Sequence, residues 1–447
     1  MVLLRCAIVA ALAVSSARGA QLIAPPPPGK FYQGLYFDEP KAGRDPTEHD
    51  VTASDVTRFE ETLATKTAWV FFSNNWFESR KFPRETCDWI RGLAKVPYVR
   101  LMLRSDAEQD RAEKIFTLAN ILAGKFDDDL KAWARDAKEF GSPLLVEWGT
   151  EPNGKWFSWN GKWNGGAREG SAQFVAAYRH IVDLMRAVGA GNLQWVWHVN
   201  WLDQPEVKWN RFENYYPGDS YCDWVALSAY GPLTPRDVDA TESFRFKMTT
   251  AYPRLTKIAP GKPVVIAEFG CALHHRKVDA SEWARNALED LFSGRWPAVI
   301  GFCWWNESWE NDDVRKHNTD MIILHDAALT KVFRDELAKH AERLEPAPVI
   351  VHHRNRAPAR DRWDAITSTS TITSTSTSTS KNFALVAWRS HIARWSTFPL
   401  PTTATCTATP RTARPAQQLR PTRRRITKGK AHRSLRLISS RQRSGLA

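Results

Sequence analysis

Eight apolar segments of strand length, each followed by a helix-like pattern, succeed one another between residues 31 and 344. Parallel strands need a crossover connection between them, and a helix is the usual one. Eight strand–helix pairs are the number that closes a barrel. The sequence therefore predicts an α/β fold, a (β/α)8 TIM barrel, with an open doubly wound sheet as the alternative. The predicted strands cover residues 31–37, 67–72, 98–103, 143–148, 193–199, 224–229, 263–269 and 298–304.

The two ends of the chain differ in composition from this middle part. Residues 1–19 contain an early Arg5, an apolar run too short to span a bilayer, and small residues at the end, as secretory signal peptides do. Residues 346–447 combine a Thr/Ser-rich stretch with basic segments that show neither helical nor strand period, which predicts disorder. We expect a signal peptide over 1–19, a folded domain over 20–345 and a disordered tail over 346–447, in a secreted monomer. An O-glycosylated stalk or a translated read-through is the alternative for the tail.

The formal net charge of +13 belongs to the tail and not to the predicted barrel. Residues 346–447 hold 19 Lys and Arg but only two acidic residues, Asp361 and Asp364. The remainder is mildly acidic, so we expect no nucleic-acid partner and, after signal cleavage, no membrane association. Neither a Cys/His metal spacing nor a phosphate-binding glycine loop occurs, so the sequence predicts no metal and no cofactor.

Two predicted strand ends carry acidic residues that could perform chemistry. Reactive groups of such barrels lie where strands end, because the βα loops build that rim. Glu151 follows the fourth predicted strand, and Glu268 ends the seventh, where strand alternation directs it into the barrel mouth. Retaining hydrolysis of a glycosidic bond needs two carboxyls about 5–5.5 Å apart. We therefore predict that Glu151 and Glu268 converge on one scissile bond. A rim salt bridge for Glu268 and a loop-capping role for Glu151 are the alternatives.

Glu147 is the rival for the acid, since it lies four residues before Glu151. If its side chain points inward, Arg104 at the end of the third predicted strand can pair with it, and we favour that structural role. His198 lies on the fifth predicted strand, where it either contacts substrate or is a satisfied polar residue of the barrel layers.

The segment Glu151-Pro-Asn153-Gly154-Lys-Trp156 resembles the Glu-x-Asn-Gly-x-Trp motif of glycoside hydrolase family 26. The likeness continues through residues 193–198, 217–230 and 267–270 and the strand end at 304–305. This family of (β/α)8 barrels groups β-mannanases with some β-glucanases and β-xylanases. The resemblance implies that Glu151 is the general acid/base and Glu268 the nucleophile.

The same resemblance implies further substrate-site residues. Tyr230 would hydrogen-bond the nucleophile, while Trp156 and Trp305 would stack on the sugar at the cleavage point. We expect Trp156, as an apolar neighbour, to raise the pKa of the acid. Asn153 and His198 complete the predicted substrate-binding set.

One departure from the family pattern affects the substrate. The mannanases of the family usually carry His immediately before the acid/base and an Arg-Pro pair further upstream, whereas this chain has Thr150 and Glu147-Trp148. The predicted function is a retaining endo-β-glycanase acting on β-linked polysaccharide, with endo-1,4-β-mannanase as the first interpretation. A β-glucanase on the same scaffold, a non-catalytic carbohydrate-binding barrel and a surface adhesin anchored by the tail are the alternatives.

Overall fold

The computed structural model describes residues 20–39, 51–237, 240–312 and 314–353. Eight parallel strands form a closed barrel, since the first of them pairs with both its successor and the last, and the seventh pairs with the eighth. This confirms the predicted (β/α)8 barrel and excludes the open sheet. A short strand β1 (Ala20–Ile23) precedes the barrel, whose strands are β2 (Tyr32–Asp38), β3 (Trp69–Asn75), β4 (Val96–Met102), β5 (Leu144–Trp148), β6 (Leu193–Asn200), β7 (Trp224–Ser228), β8 (Val264–Phe269) and β9 (Val299–Trp309).

Helices surround the barrel, and side-chain caps begin several of them. The hydroxyls of Thr52 and Ser243 and the carboxylates of Asp279 and Asp326 each accept a hydrogen bond from a backbone N–H of the first helical turn. Between β6 and β7 the described chain has only 3-10 turns. The helices are α1 (Ala53–Leu63), α2 (Arg84–Gly92), α3 (Leu118–Leu122), α4 (Asp127–Phe140), α5 (Gly170–Ala187), α6 (Phe244–Ile258), α7 (Ala280–Phe292) and α8 (Ala327–Lys339).

Large aromatic side chains fill the inside of the barrel. Trp69 contacts Tyr32, Tyr98 and Trp224 with ring centroids 6.1–6.4 Å apart, and all four side chains are buried. Gly34 makes room for them, because a Cβ there would lie 2.1 Å from the indole nitrogen of Trp69. The barrel is thus a packed core with no channel through it, and the chemistry is confined to its rim.

A small antiparallel sheet lies at the amino-terminal end of the barrel. Strand β11 (Ile350–His353), which follows β10 (Thr319–Asp320), pairs with β1, and Gln194 at the start of β6 exchanges two hydrogen bonds with the Ile23 backbone. The described structure thus continues eight residues beyond the predicted domain end at residue 345, and the domain boundaries stay a prediction. Four-residue strands give almost no local periodicity, and the partner of β11 lies some 330 positions away, so the sequence pattern could not reveal the pair.

The remaining predictions about the chain ends lie outside the described residues. These are the signal peptide over 1–19 and residues 354–447 of the disordered tail predicted over 346–447. Within the described ranges, no helix has the length and apolar character that crossing a bilayer requires.

Candidate active site

Glu151 lies in a tightly held loop just beyond β5. Its backbone has φ of +45°, a left-handed conformation that a non-glycine residue adopts only under constraint, and its N–H donates to the carbonyl of His198 over 3.0 Å. Gly149, two residues earlier, has φ of +67°, and a Cβ at this position would collide with Phe174. The local sequence thus fixes where the Glu151 carboxyl begins.

Asn153 anchors this loop to β6. Its amide nitrogen donates to the carbonyl of Asn200 (2.9 Å) and to Asp203 Oδ1 (3.0 Å), and its amide oxygen accepts the Asn200 N–H (3.0 Å). The side chain is 0% exposed. Both polar side-chain atoms of Asn153 thus have protein partners, and the residue positions the loop, while its contact with substrate stays a prediction.

Trp156 contacts Glu151 directly. The indole N–H donates to Glu151 Oε2 over 2.7 Å, and both side chains are almost fully buried. Burial raises the pKa of Glu151, whereas the hydrogen bond from Trp156 lowers it, because it favours the charged carboxylate. The expectation that Trp156 itself raises this pKa therefore needs correction, since the indole acts as a donor as well as an apolar wall.

Glu268 lies in β8, in the mouth of the barrel, with two donors on its carboxylate. The phenol of Tyr230 donates to Oε2 over 2.8 Å, and Arg100 Nη1 lies 3.2 Å from Oε1. The Arg100 side chain is itself oriented by Ser73, which accepts from Nε at 3.0 Å. The contact expected between Tyr230 and Glu268 is thus present in the structure.

The two carboxyls influence each other. Burial raises the pKa of Glu268, His198 and Arg100 lower it, and the charge of Glu151 raises it. Burial likewise raises the pKa of Glu151. Two carboxyls coupled in this way lose their protons in separate steps. Arg100 and Tyr230 contact the carboxylate of Glu268, whereas the neutral donor Trp156 contacts that of Glu151.

Glu147 is completely buried beneath this pair. Its Oε2 accepts hydrogen bonds from Tyr98 (2.7 Å) and from His198 Nδ1 (3.0 Å). The expected pairing with Arg104 is wrong, because the β4–β5 register places Arg100 beside Glu147, while Arg104 donates to Asn75.

His198 is the second member of this buried pair. Burial lowers its pKa, but the adjacent Glu147 and the more distant Glu268 and Glu151 outweigh that effect and raise it to about 8. Its Nε2 lies 2.8 Å from Ser228 Oγ, and the imidazole is 0% exposed as a side chain. His198 is therefore a satisfied residue of the barrel layers, which was one of the two interpretations of the sequence.

Trp305 already has a protein partner on one face. Its ring stacks on Tyr36 with centroids 3.5 Å apart, and the guanidinium carbon of Arg100 lies 5.0 Å from its centroid. Its indole N–H donates to Glu307 over 2.6 Å. Stacking of Trp305 on a sugar stays a prediction. Because Tyr36 covers one face of the ring, less of its surface is free than the sequence suggests.

Glu147, His198 and Glu268 have potential ligand atoms within 4.8 Å of one another. The guanidinium of Arg100 lies 3.2 Å from Glu268, and although burial lowers the pKa of His198, the neighbouring carboxylates raise it to about 8. A cation would meet positive charge here, so these three side chains form an ion-pair network and fit a metal ion poorly.

An open cleft adjoins Glu151. Its empty volume is about 730 Å³, open solvent at its mouth included, and it is lined by Glu151, Trp156, Trp201, Tyr230, Glu242 and Lys247 among others. Its walls combine aromatic rings with hydrogen-bonding groups, which is the surface that sugar rings require.

Three residues of this site were missed by the sequence analysis: Tyr98, Arg100 and Ser228. Tyr98 and Arg100 alternate on β4 within an otherwise apolar segment, so a charged residue at an inward position was a usable signal. Ser228 carries no such signal, because a serine at the end of an apolar strand is common.

A family model described as Glycosyl hydrolase family 26 matches residues 111–331. Endoglucanase H of Acetivibrio thermocellus is 29% identical over 198 residues, which are 44% of this chain and 21% of that protein. The mannan endo-1,4-beta-mannosidase of Bacillus subtilis is 26% identical over 191 residues, 42% of this chain and 45% of that protein. The chain thus matches less than half the length of either relative.

Among solved structures, the catalytic domain of a Bacillus sp. JAMB-750 family 26 endo-β-1,4-mannanase is similar with a TM-score of 0.49 and 17% identity, over 69% of this chain and 86% of that one. The family model match shows that residues 111–331 of this chain belong to glycosyl hydrolase family 26.

Proposed function

We propose that the protein is a retaining endo-β-glycanase in which Glu268 is the nucleophile and Glu151 the general acid/base. The observation that carries this proposal is the unequal environment of two buried carboxyls at one rim. Glu268 touches a guanidinium and a phenol, whereas Glu151 touches the neutral donor Trp156 and borders the open cleft. Environments that differ in this way separate a nucleophile from an acid.

In the first step, a Glu268 oxygen bonds to the anomeric carbon while the glycosidic C–O bond breaks. The proton of Glu151 passes to the leaving oxygen, so that the departing sugar carries a neutral hydroxyl. Arg100 and Tyr230 keep Glu268 ionised and aimed before the attack.

In the second step, the ionised Glu151 accepts a proton from water. The water oxygen bonds to the anomeric carbon from the face opposite Glu268, and the bond to Glu268 breaks. Two inversions give net retention. The cleft beside Glu151 takes the leaving-group part of the chain, because the acid must lie next to the departing oxygen.

The substrate that we propose first is β-1,4-linked mannan or glucomannan. The name of the matched Bacillus subtilis relative, a mannan endo-1,4-beta-mannosidase, supports this choice. The name of Endoglucanase H and the presence of Thr150, where the mannanases usually carry His, favour a β-glucan as the second candidate. The open cleft suits an internal position of a long polymer and therefore endo action.

We further propose that the protein acts outside the cell as a monomer after residues 1–19 are removed. The support is the charge and hydropathy pattern of those residues and the size of a polymeric substrate, which cannot enter a cell. Amino-terminal sequencing of the protein from culture medium tests this; a start near Ala20 or Gln21 is expected, and an intact Met1 would contradict it.

Rescue by azide tests the two carboxylate roles separately. With Glu268→Ala, we expect activity on an activated β-glycosyl fluoride donor or aryl glycoside to return with azide and to give the inverted glycosyl azide, because azide replaces the missing nucleophile. With Glu151→Ala, azide attacks the covalent intermediate and the product keeps the β configuration. Exchange of these two stereochemical outcomes, or full activity of either variant without azide, would reject the assignment.

The full-length protein should be assayed on mannan, glucomannan, mixed-linkage glucan and xylan by release of reducing ends. We expect the mannan-type polymers to be cleaved fastest. Cleavage of the mixed-linkage glucan alone would move the assignment to the β-glucanase, and binding without cleavage of all four would support the carbohydrate-binding barrel.

A further inference from the structure

A continuous array of hydrogen bonds runs through the barrel mouth and ends on Glu151. Glu147 Oε2 lies 3.0 Å from His198 Nδ1, His198 Nε2 lies 2.8 Å from Ser228 Oγ, and a hydrogen bond from Ser228 lowers the pKa of the Glu151 carboxyl. The side chains of Glu147 and His198 are 0% exposed, and Ser228 is a fully buried residue. These residues come from three adjacent strands, β5, β6 and β7, so the barrel itself fixes the array.

The array has a direction. A protonated imidazole donates with both nitrogens, to the carboxylate of Glu147 on one side and to Ser228 Oγ on the other. Ser228 then has its own O–H left to donate, and Glu151 is the acceptor that it contacts. Donors therefore point from the buried His198 towards Glu151.

We propose that Ser228 and His198, anchored by Glu147, are positioning residues that hold the Glu151 carboxylate and stabilise its ionised form. This inference rests on the proposed acid/base role of Glu151. In that role Glu151 is a carboxylate during one part of each cycle, from the protonation of the leaving group until it accepts a proton from water. A donor already aimed at it lowers the free energy of that state without reorganisation.

Other charged and titratable groups also face Glu151 or the array of Glu147, His198 and Ser228. They do not duplicate the contact between Ser228 and Glu151. Arg100 on β4 and Glu268 on β8 are salt-bridged to each other, and Tyr98 donates to Glu147. Tyr230 donates to Glu268. The hydroxyl of Thr150 lies 3.1 Å from His198 Nδ1 and so contacts the opposite side of the imidazole. Asp237, Glu242 and Lys247 line the cleft beyond Glu151.

The test is the pH dependence of kcat/KM for the full-length protein with glucomannan as probe. Activity is lost at high pH when the acid ionises, so the alkaline limb reports the pKa of Glu151. Ser228→Ala removes a donor to the carboxylate; the pKa of Glu151 rises, and we expect the alkaline limb to move to higher pH by about one unit. His198→Gln should move it in the same direction, because it removes the positive charge. Ser228→Thr, which restores the hydroxyl, should return the limb towards the wild-type position.

The matched control is Thr65→Val. It also deletes a buried hydroxyl, which donates to Gln33 over 2.7 Å at the opposite end of the barrel, and should leave the pH profile unchanged. If Ser228→Ala does not fold, Ser228→Cys keeps the shape with a weaker donor and should still shift the limb. The proposal would be overturned if Ser228→Ala, Ser228→Cys and His198→Gln lost rate uniformly across pH while their alkaline limbs stayed in place.

A dinitrophenyl β-glycoside separates this inference from the proposed function. With that leaving group no acid is required for the first step, so Glu151→Ala should lose the alkaline limb altogether. If the limb persists in Glu151→Ala, the acid/base assignment itself fails. If Glu151→Ala removes the limb but the Ser228 variants do not shift it, the array alone is rejected.

Discussion

Arg100 and Glu268 form a buried ion pair across the barrel mouth, with Arg100 Nη1 3.2 Å from Glu268 Oε1. The two residues belong to β4 and β8, 168 positions apart. A buried carboxylate without its cation is costly, so the pair both stabilises the site and sets the charge of Glu268.

Replacement of Arg100 tests this role. In Arg100→Gln the pKa of Glu268 rises because the nearby cation is lost, and the carboxylate is then protonated at higher pH than in the wild type. The acid limb of the kcat/KM profile should move to higher pH, with about a 10²-fold loss at neutral pH. Arg100→Lys keeps the positive charge, so its acid limb should lie between those of Arg100→Gln and the wild type. An acid limb that stays in place in Arg100→Gln would show that another group controls it.

Trp156→Phe keeps an aromatic wall beside Glu151 but removes the indole N–H that donates to Oε2 over 2.7 Å. Because that bond lowers the pKa of Glu151, we expect the pKa to rise and the alkaline limb to move to higher pH. The matched control is Trp159→Phe, since the Trp159 indole donates to the carbonyl of Thr150 and not to a carboxylate. Equal shifts in the two variants would argue for a general effect of the loop.

Gly34 should tolerate no side chain. A Cβ at this position would overlap the Trp69 indole, whose ring is locked by the barrel interior. We expect Gly34→Ala to lower the free energy of unfolding by about 1–3 kcal/mol, measured in urea. Gly92→Ala is the control, because nothing lies within 4 Å of a Cβ there. Equal stability of the two variants would contradict the close packing described for the barrel.

His325 should contribute to stability in a pH-dependent way. Its hydrogen bond to Asp320 and then that to Glu39 raise its pKa to about 9, which exceeds the value of 6.5 in an unfolded chain. The stabilisation is therefore complete below pH 6.5 and disappears as the pH rises through about 9. His325→Gln should cost about 1 kcal/mol or less at pH 6, because the imidazole is one-third exposed, and nothing at pH 10. Denaturation at the two pH values measures this; an equal loss at both would point to packing instead of charge.

The barrel could be predicted because its signal is local and repeated. Each strand such as β8 is an apolar run bounded by a loop, and eight such units in order leave few topologies. The β1–β11 pair could not be predicted, since each strand has four residues and its stability depends on a partner at the other end of the domain.

The contacts within the site could be predicted less completely than the residues that make them. Glu151 and Glu268 stood out because they follow or end strands, where a barrel places its functional groups. Tyr230 was predicted only from the resemblance to family 26. Which cation lies beside Glu147 depends on the register between β4 and β5, and a sequence does not fix register: Arg100 and Arg104 were both available. The links from His198 to Ser228 and Glu151 likewise join three strands and exist only in the closed barrel.

The most direct measurement of the central claim is a covalent trap of the nucleophile. A 2-deoxy-2-fluoro β-mannosyl or β-glucosyl fluoride forms the glycosyl-enzyme and slows its hydrolysis, so peptide mass spectrometry can locate the bonded residue. We expect one glycosyl unit on Glu268 and none in Glu268→Ala. A label on Glu147 or Glu151, or a product of inverted configuration from an active wild-type protein, would contradict the account.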